Sequence, residues 1–135
     1  MYNTTVTLCA SKIIQDVNSS QLSAIDIYEE FNSPGLPFLV QNFSVLWTME
    51  RDGEDSPTPE ARIRISQDSQ ELGNFPLSVD FQDLKRTRSI LMLGSLVIVL
   101  PTPLNVEFIL DNNVDKTLRF PVSVTPTAVE PQAAS

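Results

Sequence analysis

The stretch that decides the fold runs over residues 88–124 and reads RSILMLGSLVIVLPTPLNVEFILDNNVDKTLRFPVSV. An apolar run at residues 90–100 is interrupted only by Gly94 and Ser95 and is ended by prolines. Apolar and polar residues then alternate on both sides of residues 111–115, which predicts two strands joined as a hairpin. We expect this unit to be buried and the remaining strands of the chain to cover it.

Three details of the stretch carry further expectations. Gly94 is expected to mark a bulge or a bend where one strand leaves one sheet for the other. Residues 111–113 (Asp-Asn-Asn) are typical of a hairpin turn. Pro121 cannot donate a ladder hydrogen bond, so the return strand is expected at a sheet edge or with a bulge. The expected inward positions on the two strands are Leu104, Val106, Phe108, Leu110, Leu118, Phe120, Val122 and Val124.

The same period of two recurs at residues 4–10, 38–50, 60–67 and 75–81, which we interpret as further strands. Residues 68–74 and 82–87 are expected to be a polar connection and a charged linker. Trp47 is expected to be a core anchor whose indole N–H donates to a carbonyl. The expected inward positions are Phe43, Val45, Trp47, Met49, Ala61, Ile63, Ile65, Phe75, Leu77, Val79 and Phe81.

Residues 21–31 (QLSAIDIYEEF) fit two patterns. Leu22, Ile25, Tyr28 and Phe31 recur at helical spacing, whereas the β-branched and aromatic residues favour a strand. We interpret the segment as a strand, with a helix as the alternative.

These patterns predict an all-β protein, an antiparallel β-sandwich of immunoglobulin-like or C2-like architecture with roughly seven to nine strands. We expect one domain over residues 1–124 and a flexible tail over residues 125–135, which is rich in small residues and proline.

Composition excludes several classes of protein. The 135 residues include nine Lys and Arg against 17 Asp and Glu, a formal net charge of -8. Nucleic acids and anionic membranes need clustered basic residues, and here residues 85–88 form only a short cluster. The single cysteine, Cys9, cannot form an intrachain disulfide. With no export signal visible, we expect a cytoplasmic protein.

The residue inventory also argues against an enzyme. The chain has no histidine, the commonest general base and metal ligand. Cys9 lies in an apolar segment without a histidine partner, so we interpret it as an inert buried thiol. We therefore assign no catalytic, cofactor-binding or metal-binding residue and no cofactor.

Two acidic clusters are candidate metal-binding or catalytic sites. Asp111, Asn113 and Asp115 match the first half of an EF-hand loop, but Lys116 stands where its glycine belongs and Val122 where its glutamate belongs. A calcium site would need the acidic loop at residues 52–55 (Asp52, Glu54, Asp55) at the same end of the sandwich. The second cluster is Asp26, Glu29 and Glu30, which we interpret as a solvated strand face rather than a glycosidase pair.

Several segments together resemble a family of small bacterial β-sandwich proteins, a domain of unknown function. These are LCASKII at residues 8–14, LSAIDIYEEFNSPGLPF at 22–38, SVLW at 44–47, LPTPLNVEFILDNN at 100–113 and FPVSV at 120–124. The resemblance implies a sandwich fold and a cytoplasmic bacterial setting. It implies no activity and no functional residue.

Three functions remain as hypotheses. The first is a non-catalytic module that binds a protein partner through an exposed face or edge strand, with an apolar patch expected at Leu36, Pro37, Phe38 and Leu39. The second is a sandwich that binds a ligand or calcium with its acidic end loops. The third is a structural or self-assembling subunit. The partner and the oligomeric state stay open at the level of sequence.

Overall fold

The computed structural model describes residues 2–125, which form twelve β-strands and no helix. The strands are β1 (Asn3–Gln15), β2 (Leu22–Ile27), β3 (Phe31–Ser33), β4 (Phe38–Val40), β5 (Phe43–Glu50), β6 (Glu60–Gln67), β7 (Gln70–Ser78), β8 (Arg86–Leu93), β9 (Leu96–Ile98), β10 (Leu104–Leu110), β11 (Asn113–Phe120) and β12 (Val122–Val124).

Most strands belong to two four-stranded antiparallel sheets that pack against each other. The first sheet has the order β2-β1-β5-β8, and the second has the order β11-β10-β6-β7. Trp47 of the first sheet meets Phe108 of the second edge to face, with ring centroids 5.2 Å apart. Both side chains are fully buried. The predicted all-β sandwich is therefore confirmed.

The predicted inward faces of the central strands are confirmed. Residues of alternating position on β5, β6 and β10 are buried, because one face of each strand points between the sheets. These are Phe43, Val45, Trp47, Met49, Ala61, Ile63, Ile65, Leu104, Val106, Phe108 and Leu110. The indole N–H of Trp47 donates to the hydroxyl of Thr4 at 3.0 Å, not to a carbonyl as expected.

The predicted long strand at residues 38–50 is divided into β4 and β5. In the β5–β8 ladder Phe43 lies opposite Leu93, and in the β4–β9 ladder Val40 lies opposite Leu96, so the register continues across the break. Phe43 and Val40 are both buried although they are three residues apart. Since a straight strand would place them on opposite faces, the ribbon turns over between them.

The bend expected at Gly94 is confirmed at this same break. β8 pairs in the first sheet, and β9, two residues after Gly94, pairs with β4 in a separate two-stranded sheet. The expectation that residues 90–100 are buried as a whole is wrong, because Met92 is 69% exposed and Val97 is 44% exposed. Met92 on β8 and Val97 on β9 point away from the core, whereas Leu96 and Ile98 on either side of Val97 point into it.

Pro121 separates β11 from β12. β11 is an edge strand of the second sheet, as the proline predicts. β12 leaves that sheet and pairs in parallel with β3, which the antiparallel prediction missed. The carbonyl of Pro121 accepts a hydrogen bond from the Phe31 amide at 2.9 Å. The strand count therefore exceeds seven to nine because four predicted strands are each cut in two.

One connection also differs from expectation. Residues 68–74 are not a polar connection, since Asp68 and Ser69 alone turn the chain and β7 begins at Gln70. Asp68 adopts the positive φ of 49° that such two-residue turns favour. Residues 21–31 form β2 and β3, which confirms the strand interpretation. Residues 126–135, the greater part of the expected tail, lie outside the described residues.

Candidate functional site: the outer face of the first sheet

The β1–β2 hairpin crosses the outer face of the first sheet; we call residues 11–27 the crossing hairpin. β1 pairs with β5 only as far as Ala10, and beyond that point it pairs only with β2. Arg88 on β8 donates from Nη2 to the carbonyl of Ser20 in the hairpin turn at 2.6 Å. The hairpin therefore passes over β5 and reaches β8.

A second, smaller apolar cluster lies beneath the crossing hairpin. Ala10, Ile13 and Leu46 are buried in it, although they lie outside the core between the two sheets. Burial of the larger side chains, Ile13 and Leu46, contributes roughly 1.5–3 kcal/mol each relative to exposure. This apolar contact holds the hairpin down. Its partly buried members are Leu8, Leu22, Ala24 and Ile90.

The turn of the crossing hairpin is fixed by Asp16. Its carboxylate accepts hydrogen bonds from the amides of Asn18 at 2.8 Å and Ser19 at 2.9 Å. These bonds, the one from Ser19 foremost, lower the pKa of the Asp16 carboxyl because they stabilise its charged form. The Asp16 amide in turn donates to the carbonyl of Gln21 at 2.8 Å.

Two grooves flank the crossing hairpin. The first, which we call the arginine groove, has a volume of about 550 Å³. Arg86 in its rim bonds one carboxylate oxygen of Glu50 from Nε at 3.1 Å and from Nη2 at 2.5 Å. Arg88 in the same rim donates a hydrogen bond to the Ser20 carbonyl in the hairpin turn. The groove is lined by Val6, Leu22, Leu46, Thr48, Arg86, Thr87 and Arg88.

The second groove, which we call the methionine groove, has a volume of about 450 Å³. Ile25 of β2 and Met92 of β8 line it, and they are 43% and 69% exposed. β2 and β8 are the two edge strands of the first sheet. Lys12 and Ser44 also line the groove, which thus combines apolar and polar side chains.

Sequence reasoning missed both grooves. Residues 82–87 were interpreted as a linker and residues 90–100 as buried, so the strand that joins them went unrecognised. The available signal was the alternation of Arg86, Arg88, Ile90 and Met92, which places all four on one face of β8. The crossing of the hairpin over that face has no signal in the sequence.

The two acidic loops that are candidates for a calcium site do lie at one end of the sandwich. The Tyr2 hydroxyl donates to the carbonyl of Ser56 at 2.6 Å. The pKa of Tyr2 is raised first by burial and then by the charges of Asp111 and Asp55, which therefore lie near the ring. Both loops therefore lie near Tyr2 at the same end of the sandwich.

Two of the candidate carboxylates already serve the fold. Asp111 accepts a hydrogen bond from the Glu60 amide at 3.0 Å. Asp115 accepts one from the hydroxyl of Thr4, the same hydroxyl that receives the Trp47 indole N–H. Within residues 2–125 no group of three or more histidine, cysteine, aspartate or glutamate side chains is placed to hold a metal ion. Calcium binding stays a hypothesis.

The cluster of Asp26, Glu29 and Glu30 does not form a shared strand face. β2 ends at Ile27, and Asp26 adopts a positive φ of 55° just before that end. All three side chains are exposed. Their interpretation as solvated residues is confirmed, whereas the expected strand face is wrong because Glu29 and Glu30 lie between β2 and β3.

Cys9 and the expected apolar patch have contrasting outcomes. Cys9 is 1% exposed, and burial raises the pKa of its thiol to about 12, so the interpretation as a buried thiol is confirmed. In the patch, Leu36 and Phe38 pack on the core, and only Pro37 and Leu39 are exposed. The patch is therefore smaller than expected.

Comparison with known proteins adds no assignment: no family model matches the chain, and no curated protein matches it. The part of the chain that the structure describes contains no helix long and apolar enough to cross a membrane. The fold thus places the protein in the class of all-β sandwiches, and the outer face of the first sheet is its candidate site.

Proposed function

We propose that the protein is a non-catalytic interaction module that binds an extended segment of a partner protein in the methionine groove. The observation that carries this proposal is the exposure of Ile25 and Met92, which line one groove and belong to the two edge strands of the first sheet. Methionine adapts its shape to varied partners, which suits it to a binding surface. Edge strands also present unpaired backbone groups to an incoming strand.

The non-catalytic part of the proposal is supported by the residue inventory. The chain has no histidine, and its single cysteine is buried with a raised thiol pKa. A bacterial cytoplasmic setting is included in the proposal. It is supported by the unpaired state of Cys9, which suits a reducing compartment.

The test is a pull-down with the tagged protein from a lysate of its own host, followed by affinity measurements with the purified partner. The Ile25→Lys/Met92→Lys double variant places charge on both apolar walls. We expect it to weaken binding by at least about tenfold, the size of a typical hot-spot loss. Val114→Lys is the matched control, since Val114 is also apolar, 50% exposed and on an edge strand, but lies in the second sheet.

Two outcomes would contradict this proposal. A partner that binds the double variant as tightly as the unchanged chain would place the interface elsewhere. Recovery of a second copy of this chain as the stoichiometric partner, confirmed by light scattering, would favour the self-assembling subunit instead.

A further inference from the structure

The arginine groove concentrates positive charge in an acidic protein. The formal net charge is -8, yet Arg86 and Arg88 project from the same face of β8, two residues apart. They lie opposite Glu50 and Thr48 of β5. Glu50 offsets the charge of Arg86 through the 2.5 Å contact. The Arg88 guanidinium meets a carbonyl, which carries no charge to offset it.

The floor of this groove is apolar. Val6 comes from β1, Leu46 from β5 and Leu22 from the crossing hairpin, so three segments meet beneath the arginines. Leu22 also belongs to the small cluster that fixes the hairpin. The groove therefore exists because this apolar cluster holds the hairpin across the sheet.

Size and chemistry together define a ligand class. A volume of about 550 Å³ lies within the roughly 300–1,000 Å³ range of small-molecule sites. Such sites combine apolar walls with a few placed polar groups. Arginine recognises carboxylate, sulfonate and phosphate groups through its fork of N–H donors. Two arginines are too few for the long row of phosphate contacts that a nucleic acid makes.

We propose that the arginine groove binds a small amphiphilic anion, with its apolar body on Val6, Leu22 and Leu46 and its acidic group at Arg88 and Arg86. This site is separate from the methionine groove and does not depend on the function proposed for it. Thr48, which lies opposite Arg88 on β5, adds a hydroxyl group beside the position of the acidic group.

Two fluorescent probes test this proposal directly. Anilinonaphthalene sulfonate is an amphiphilic anion, and phenylnaphthylamine has the same ring system without the charge. We expect one saturable sulfonate site per chain, with a Kd at least about tenfold lower than that of the neutral probe. Binding without saturation, or equal affinity for the two probes, would overturn the proposal.

Variants then locate the site. Arg86→Gln/Arg88→Gln is expected to weaken binding of the sulfonate probe by at least about tenfold and to leave the affinity for the neutral probe unchanged. Unchanged binding of the neutral probe also shows that the groove remains folded. Arg64→Gln is the matched control, because Arg64 on the second sheet forms a similar cross-strand pair with Glu107 at 2.6 Å. An unchanged sulfonate affinity in the double variant, or an equal loss of both probes, would contradict the role of the arginines.

A filled groove gives an independent check. Val6 is 43% exposed and lines the groove, so Val6→Trp is expected to block both probes. Val114→Trp places the same side chain on the second sheet and is expected to leave both affinities within about twofold. Undiminished sulfonate binding to Val6→Trp would show that the probe binds elsewhere.

Discussion

Gln67 is a buried polar side chain that fixes a loop of the sandwich. Its amide Nε2 donates to the carbonyls of Leu100 at 2.7 Å and Thr102 at 2.8 Å. Its Oε1 accepts from the amides of Val99 at 3.0 Å and Leu100 at 3.2 Å. One side chain thus satisfies four backbone groups in the connection between β9 and β10.

Replacing Gln67 by leucine is expected to lower the free energy of unfolding by about 3 kcal/mol or more, because buried backbone groups lose their partners. Denaturant unfolding measures the change. Gln70→Leu is the matched control, since Gln70 is exposed and should change stability by less than about 0.5 kcal/mol. A similar small effect at both positions would show that water replaces the Gln67 amide.

Cys9 gives a pH dependence of known sign. Burial raises the pKa of its thiol from 9.0 to about 12, so the unfolded chain loses this proton first as pH rises. The stabilisation is complete below pH 9.0 and is lost progressively up to about pH 12. At pH 10 the expected loss is roughly 1.4 kcal/mol, since one pKa unit corresponds to 1.36 kcal/mol.

Unfolding of the unchanged chain and of Cys9→Ala at pH 8 and pH 10 isolates the contribution of the thiol, because other groups titrate in both proteins. The difference between the two pH values should be about 1.4 kcal/mol smaller in the variant. An identical pH dependence in both would mean that the thiol ionises equally in the folded and unfolded states.

At the level of elements, the crossing hairpin depends on its turn. The Asp16 carboxylate accepts hydrogen bonds from two backbone amides, which lower its pKa. Its contribution to the stability of the turn is therefore present above the usual carboxyl pKa of 3.8. That contribution is lost as pH falls through the lowered value. The turn is therefore expected to loosen in acid before the sheets do.

Amide exchange of Asn18 and Ser19 by NMR follows this loosening. We expect their amides to lose protection in acid in the unchanged chain and to be weakly protected at all pH values in Asp16→Ala. Asp16→Asn keeps an oxygen acceptor and should retain protection without the pH dependence. Protection of both amides that persists in Asp16→Ala would assign the turn to the backbone bonds alone.

For the whole molecule, the contact of Trp47 with Phe108 joins the two sheets. Phe108→Ala is expected to lower the free energy of unfolding by about 3–5 kcal/mol, because both rings are fully buried and the cavity cannot be filled by water. Trp47 fluorescence and far-ultraviolet circular dichroism should give the same unfolding midpoint, since loss of the contact separates both sheets.

Phe38→Ala is the comparison for this change. Phe38 lies on the β4–β9 ribbon and is only partly buried, so Phe38→Ala should lower the free energy of unfolding by less than Phe108→Ala does. Separate midpoints for the two signals in the unchanged chain would show that the sheets unfold independently.

Local alternation could be read from the sequence because each central strand has one buried face. The inward residues of β5, β6 and β10 follow from a period of two, and the Asp111 turn follows from residues that adopt positive φ, here 49° at Asp111 and 66° at Asn112. The bend at Gly94 and the edge position before Pro121 follow from the chemistry of single residues.

The outer face of the first sheet was decided by tertiary structure. The alternation of apolar and polar residues shows which side of a strand is apolar, but it does not show what covers that side. Leu46 and Ile90 are covered by a hairpin from elsewhere in the chain. The parallel pairing of β12 with β3 joins residues about ninety positions apart. The sequence alone determined the sandwich and its core, because burial of one strand face is a local property. The two grooves depend on long-range contacts, which arise only when the folded chain brings the crossing hairpin over Leu46 and Ile90.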